Sequence, residues 1–157
     1  MMILEIFRVL WFVYLLILSV TDIKTRKIPV FMLRMGVLAV LPVFIGECFS
    51  CMPPSELLRR VMTALLGAMP GGLLTVLSFH TNKIGRGDGP VLILIGFLES
   101  CTFSMIVICM ACIGLALFSG ILMSFGKVTG KTQMPYIPFV TASYIFMKLY
   151  EGSLTVL

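Results

Sequence analysis

Long stretches without charge constrain this chain more than any other feature. Residues 61–79 carry no charged side chain, residues 28–46 carry only Arg34, and residues 89–126 carry only Glu99. About 20 apolar residues in a helix cross the hydrocarbon of a bilayer, so stretches of this length predict membrane-spanning helices. Charged residues make up 12% of the chain, about half the fraction found in soluble domains. The sequence therefore excludes a soluble globular domain and also a disordered chain.

The apolar stretches predict an all-α polytopic membrane protein, a bundle of about six transmembrane helices in which residues 1–157 form one domain. The predicted helices cover about residues 2–21, 28–46, 57–79, 90–98, 104–125 and 134–150. The stretch 89–126 is divided because one helix of that length would measure about 57 Å, and the polar cluster from Glu99 to Thr102 is the natural break. Gly67, Pro70 and their neighbours in the third helix predict close packing or a kink.

Basic residues predict the orientation of this bundle. The loops at 22–27, 80–88 and 126–133 fall on one side and hold seven basic residues, against four on the other side. Because basic residues favour the cytoplasmic side, we expect these loops in the cytoplasm and the protein in the inner (plasma) membrane. We assign the net charge of +5 first to topology. We expect Lys24, Arg26 and Lys27 to pair with anionic lipid headgroups, and we expect no nucleic-acid partner.

The two aspartates of the chain fall on this same predicted cytoplasmic side. Asp22 follows the first predicted helix, and Asp88 precedes the fourth. Each alone suits a helix end, Asp88 as an N-cap. Together, two close carboxyl groups share one proton, so that one can deprotonate water while the other hydrogen-bonds a carbonyl oxygen. The pair therefore predicts peptide hydrolysis that needs neither a metal ion nor a covalent intermediate.

Two further features of this region carry predictions. The dipole of a helix favours negative charge at its start and disfavours it at its end, so Asp88 is the predicted base and Asp22 the predicted acid. Gly85, Gly87 and Gly89 surround Asp88, and backbone without side chains allows a substrate strand to approach closely. We predict these three glycines as substrate-binding residues.

The spacing of both motifs resembles that of the type IV prepilin peptidases, which are intramembrane aspartyl proteases. Asp22 is followed by five residues and then Ile28-Pro29, and the second motif is Gly85-Arg86-Gly87-Asp88. Pro138-Phe139 is similar to the proline-phenylalanine pair at the family's last helix. The resemblance implies that Asp22 and Asp88 are the catalytic pair of an aspartic endopeptidase without a cofactor. It also implies a prepilin or pseudopilin substrate, from which a short basic leader is removed.

This chain departs from the family pattern in two places. Family members usually follow the second aspartate with a hydrophobic residue and a lysine, whereas Gly89-Pro90 stands here. Larger relatives also carry an N-terminal methyltransferase region with two C-x-x-C pairs. Because this chain starts at its first membrane helix, we expect peptidase activity without N-methylation.

Other functions stay open at the level of sequence. Six helices with glycine and proline breaks would suit a small transporter, and a scaffold subunit of a secretion complex would make the aspartates incidental. A disulfide among Cys48, Cys51 and Cys101 on the outer side is an open alternative, and Cys109 and Cys112 are predicted as apolar residues of the fifth helix. The particular pilin and the oligomeric state are not predicted.

Overall fold

The computed structural model describes residues 2–25, 28–50, 54–81, 85, 87–126 and 134–154. Within these residues the chain forms six α-helices and no strand. The helices are α1 (Met2–Thr25), α2 (Val30–Ser50), α3 (Pro54–Thr81), α4 (Asp88–Leu98), α5 (Cys101–Ser124) and α6 (Ile137–Leu154). The predicted all-α fold is confirmed, and no helix boundary differs from the predicted one by more than four residues.

Four helices are long and apolar enough to cross a membrane. They contain the candidate spans Ile6–Thr25, Val30–Phe49, Pro54–His80 and Cys101–Ser124. The chain is therefore a membrane protein. By contrast α4 has 11 residues, which rise about 16 Å, roughly half the thickness of the hydrocarbon core. Because of this length, α4 cannot reach from one surface of the bilayer to the other.

Glycines bring α4 into direct contact with the backbone of α3. A Cβ atom at Gly71 would overlap the backbone of Leu92 and Ile93, and one at Gly67 would overlap the carbonyl group of Gly96. The close packing predicted from the glycines of the third helix is therefore confirmed. Because neither backbone can slide past the other without a clash, this contact fixes the position of α4 along α3.

The predicted break between the fourth and fifth helices is also confirmed. Ser100 is the N-cap of α5, and its hydroxyl accepts a hydrogen bond of 3.2 Å from the backbone N–H of Phe103. This side chain satisfies one of the N–H groups that a helix leaves unpaired at its start. The polar cluster therefore ends α4 and begins α5, and it leaves α4 as a short separate helix.

The buried core surrounds α4. Val91, Leu92 and Ile95 of α4 are almost completely buried, together with Trp11 and Leu15 of α1. Many large apolar side chains of the span-length helices face outward, as expected where lipid takes the place of water. Asp88, the first residue of α4, therefore lies at one end of this core.

Candidate active site

Asp22 lies in the last turn of α1 and faces the start of α6. The sequence predicted that the first helix ends before Asp22, but α1 continues to Thr25. Asp22 is 5% exposed, and its Oδ2 accepts a hydrogen bond of 3.1 Å from the backbone N–H of Ile137. The backbone of Tyr136 supplies a second such contact. Asp22 therefore occupies the N-terminus of α6, where the unpaired N–H groups and the helix dipole stabilise a negative charge.

Asp88 is the first residue of α4, outside the four span-length helices. The predicted N-cap role of Asp88 is wrong, because the N-cap is Gly87 and no side chain caps this helix. Burial and the negative charge of Asp22 raise the pKa of Asp88 to about 7, while a hydrogen bond from the backbone of Gly85 acts in the opposite direction. Asp22 and Asp88 lie at the same end of the bundle, where Gly87 packs against Ile28 and the negative charge of Asp22 disfavours ionisation of Asp88.

Tyr136, which sequence reasoning did not single out, lies beside the two aspartates. It comes immediately before α6, and its hydroxyl lies 3.8 Å from the Sγ atom of Cys112. Burial raises the pKa of the Tyr136 hydroxyl, and the charge of Asp88 adds to this effect. Tyr136 therefore remains protonated and can donate a hydrogen bond at this end of the bundle. The sequence feature that could have identified Tyr136 is its place in the Pro135-Tyr136-Ile137-Pro138 segment.

The glycines around Asp88 allow close packing within the protein. Gly89 is buried against α3, where a Cβ atom would overlap Thr75. A Cβ atom at Gly87 would press on the side chain of Ile28, so the two motifs of the sequence touch each other here. This packing explains why glycine follows Asp88 in this chain.

Gly85 differs from the other two glycines because it is exposed. A Cβ atom there would lie 2.7 Å from Oδ2 of Asp88, so a side chain at this position would crowd the carboxyl group. The substrate-binding role of Gly85, Gly87 and Gly89 stays a prediction. Of the three, Gly85 has the backbone that an approaching strand can reach.

Two further predictions, the pairing of basic residues with lipid and the disulfide, involve residues that the structure does not describe. Lys24 is exposed at the end of α1, whereas Arg26 and Lys27 are not described, so their pairing with lipid stays a prediction. The disulfide also stays a prediction, because Cys51 is not described, although Cys101 is a free thiol. Within the described part of the chain, His, Cys, Asp and Glu side chains form no cluster of three that could hold a metal ion.

One protein family matches this chain. The model of the type IV leader peptidase family matches residues 9–121, which is more than half of the chain and includes Asp22 and Asp88 with the four helices that connect or carry them. No curated protein matches the chain, and no solved structure matches it.

Proposed function

Because this chain belongs to the type IV leader peptidase family, we propose that it is an aspartic endopeptidase with Asp22 and Asp88 as its catalytic pair. The observation that carries the proposal is that Asp22 and Asp88 lie at the same end of the bundle, where Gly87 packs against Ile28 and the negative charge of Asp22 acts on Asp88. Peptide hydrolysis by two carboxyl groups requires that one is ionised while the other keeps a proton. The negative charge of Asp22 favours the protonated form of Asp88, which is consistent with this requirement.

The environments of the two aspartates support acid and base roles opposite to those predicted from the sequence. Asp22 faces the N-terminus of α6, which favours its use as the base. The pKa of Asp88 is raised to about 7, which favours its use as the acid. The sequence-based assignment relied on α1 and α4 alone, and it lacked the contribution of α6 to Asp22.

The proposed reaction uses one water molecule. Asp22 takes a proton from the water, and the water oxygen attacks the carbonyl carbon of the scissile peptide. Asp88 hydrogen-bonds the carbonyl oxygen and transfers its proton as negative charge develops there. The C–N bond then breaks, and the leaving amine takes up the proton held by Asp22. As the C=O bond re-forms, one hydroxyl group of the intermediate returns a proton to Asp88, so that the pair regains its starting protonation state. No covalent bond forms between the chain and the substrate.

The proposed substrate is a type IV prepilin or pseudopilin, and the cut removes its short basic leader. We place the site at the cytoplasmic boundary of the inner membrane because the loops on the side of the aspartates hold most of the basic residues. A substrate whose hydrophobic helix lies in the bilayer would then present the junction of leader and helix at the level of Asp22 and Asp88.

Cleavage by the purified protein tests this proposal. We expect the wild-type chain to shorten a prepilin in mixed micelles, and we expect Asp22→Ala and Asp88→Ala to leave it intact. Glu56→Gln is the matched control, because Glu56 is an exposed acid at the start of α3, away from both aspartates. A chelator should leave turnover unchanged.

Two results would contradict the proposal. Wild-type activity in either aspartate variant would remove the pair from the mechanism, and an intact prepilin with the folded wild-type chain would favour a scaffold or a transporter. Mass spectra of the product also test the expectation that its new N-terminus is unmethylated.

A further inference from the structure

The end of the bundle opposite the aspartates carries two groups of paired charges. In the first group, Glu47 accepts hydrogen bonds from Arg8 at 3.0 Å and from Arg60 at 2.6 Å. In the second group, Glu99 accepts from Lys148 at 2.8 Å and from the Tyr144 hydroxyl at 2.9 Å. Arg8 and Lys148 balance the charges of Glu47 and Glu99, and Arg60 adds one further positive charge to the first group.

A cavity of about 220 Å³ lies between these two groups. Side chains of α1, α2 and α6 and the end of α4 form its wall, and they include Arg8, Trp11, Glu47, Glu99, Tyr144 and Lys148. One water molecule needs only about 10–15 Å³, so the cavity is large enough for a small polar group. Its wall presents both cations and carboxylates to whatever occupies it.

Trp11 gives this cavity an unsatisfied hydrogen-bond donor. Its side chain is 1% exposed, and its Nε1–H group meets no acceptor in hydrogen-bond geometry. Its interaction with the Tyr144 hydroxyl falls short of that geometry. A buried donor without an acceptor is costly and rare in proteins. Because Trp11 forms part of the cavity wall, an occupant of the cavity can supply the missing acceptor.

The position of the cavity in the bilayer indicates where an occupant would come from. Arg8 precedes Asp22 by four helical turns in α1, and a helix rises about 1.5 Å per residue, so the cavity lies well away from the aspartates along the bilayer normal. Charged side chains at the end of membrane helices lie at the level of the lipid headgroups. The molecules present in excess at that level are phospholipids.

We propose that this cavity binds the phosphoethanolamine group of a phospholipid. The phosphate oxygens accept a hydrogen bond from Trp11 Nε1 and face Arg8 and Lys148, while the ammonium group faces Glu47 and Glu99. A wall with balanced charges favours a zwitterionic ligand over an anionic one. An ammonium group with three N–H donors also matches the carboxylates, whereas the quaternary nitrogen of choline has no N–H to donate.

Fluorescence gives a direct test, because Trp11 is the single tryptophan of the chain. The purified full chain in detergent is titrated with dioleoyl phosphatidylethanolamine, with the matching phosphatidylcholine and phosphatidylglycerol, and with soluble glycerophosphoethanolamine. We expect a saturable change in Trp11 emission with phosphatidylethanolamine at a concentration about tenfold lower than with the other two lipids. A soluble headgroup that binds as tightly as the lipid would contradict the lipid source.

A variant pair separates binding from general stability. Trp11→Phe keeps an aromatic ring but loses the N–H donor, so the upward shift of melting temperature by phosphatidylethanolamine should need about tenfold more lipid. Tyr14→Phe is the control, because the Tyr14 hydroxyl is also buried without a partner but does not line the cavity. It should respond like the wild type.

The same measurements can overturn the proposal. Equal responses to all three lipids would mean that the cavity has no headgroup preference. A wild-type response in Trp11→Phe would mean that the lipid does not bind through Trp11, and the assignment of the headgroup to this cavity would be contradicted. Because neither measurement depends on peptide cleavage, failure here is distinct from failure of the proposed function.

Discussion

Asp88 is a carboxyl group that titrates near neutral pH, because burial and the charge of Asp22 raise its pKa to about 7. If Asp88 must be protonated to act as the acid, turnover should fall as the pH rises through about 7. Above that pH both carboxyl groups are charged, and no proton is available for the substrate carbonyl.

The pH profile of kcat with a peptide that covers the leader junction measures this effect. The substrate should lack groups that titrate near neutrality, so that the descending limb reports on the enzyme. A profile that stays flat from slightly acidic to clearly alkaline pH would show that Asp88 does not act in its protonated form.

At the scale of helices, the contact between α3 and α4 determines where Asp88 lies. Gly71→Ala places a methyl group against the backbone of Leu92 and Ile93, whereas Gly72→Ala on the same helix meets nothing within 4 Å. Overpacking of this kind costs about 1–3 kcal/mol. We expect Gly71→Ala to lower the melting temperature and turnover, and we expect Gly72→Ala to change neither.

Melting curves in detergent and initial cleavage rates measure both effects side by side. Equal behaviour of the two alanine variants would mean that α4 can shift along α3 without consequence. The backbone contact would then have no part in positioning Asp88.

The sequence predicted the helices of this fold, but it did not predict which helix contacts Asp22. Charge-free stretches and the polar break at Ser100 predicted every helix, because the bilayer imposes a length and excludes charge. The partner of Asp22 was not predictable in this way. Ile137 lies 115 positions away, and helix packing rather than any local pattern brings α6 to Asp22. The boundary of α1 was misplaced because Asp22 and Lys24 were taken as loop residues, although they extend the helix.

The predictions made from glycine residues succeeded in α3 and were incomplete near Asp88. Gly67 and Gly71 predicted close packing, and the structure shows it. The glycines near Asp88 gave an incomplete prediction, because a sequence cannot tell whether the space beside a glycine is filled by a substrate or by the protein. Thr75 and Ile28 fill that space at Gly89 and Gly87.

For the whole molecule, the charge distribution predicts one orientation. Lys24 is exposed at the end that carries the aspartates, and Arg59 is exposed near the start of α3, at the other end. In a background without native cysteines, Lys24→Cys should react with a membrane-impermeant thiol reagent only after the cells are opened. Arg59→Cys should react in intact spheroplasts. The reverse pattern would place the aspartates on the outer side and would contradict the proposed cytoplasmic site.

The most direct test of the central claim is a double-mutant cycle on kcat with Asp22→Asn, Asp88→Asn and the combined variant. Residues that act as one catalytic unit show strongly non-additive effects. If the two carboxyl groups share one proton in one reaction, each single substitution should remove nearly all cleavage, and the combined variant should lose nothing further. Circular dichroism and melting temperature should show that all three variants stay folded. Partial losses that multiply in the combined variant would mean that Asp22 and Asp88 act independently, and the catalytic pair would be contradicted.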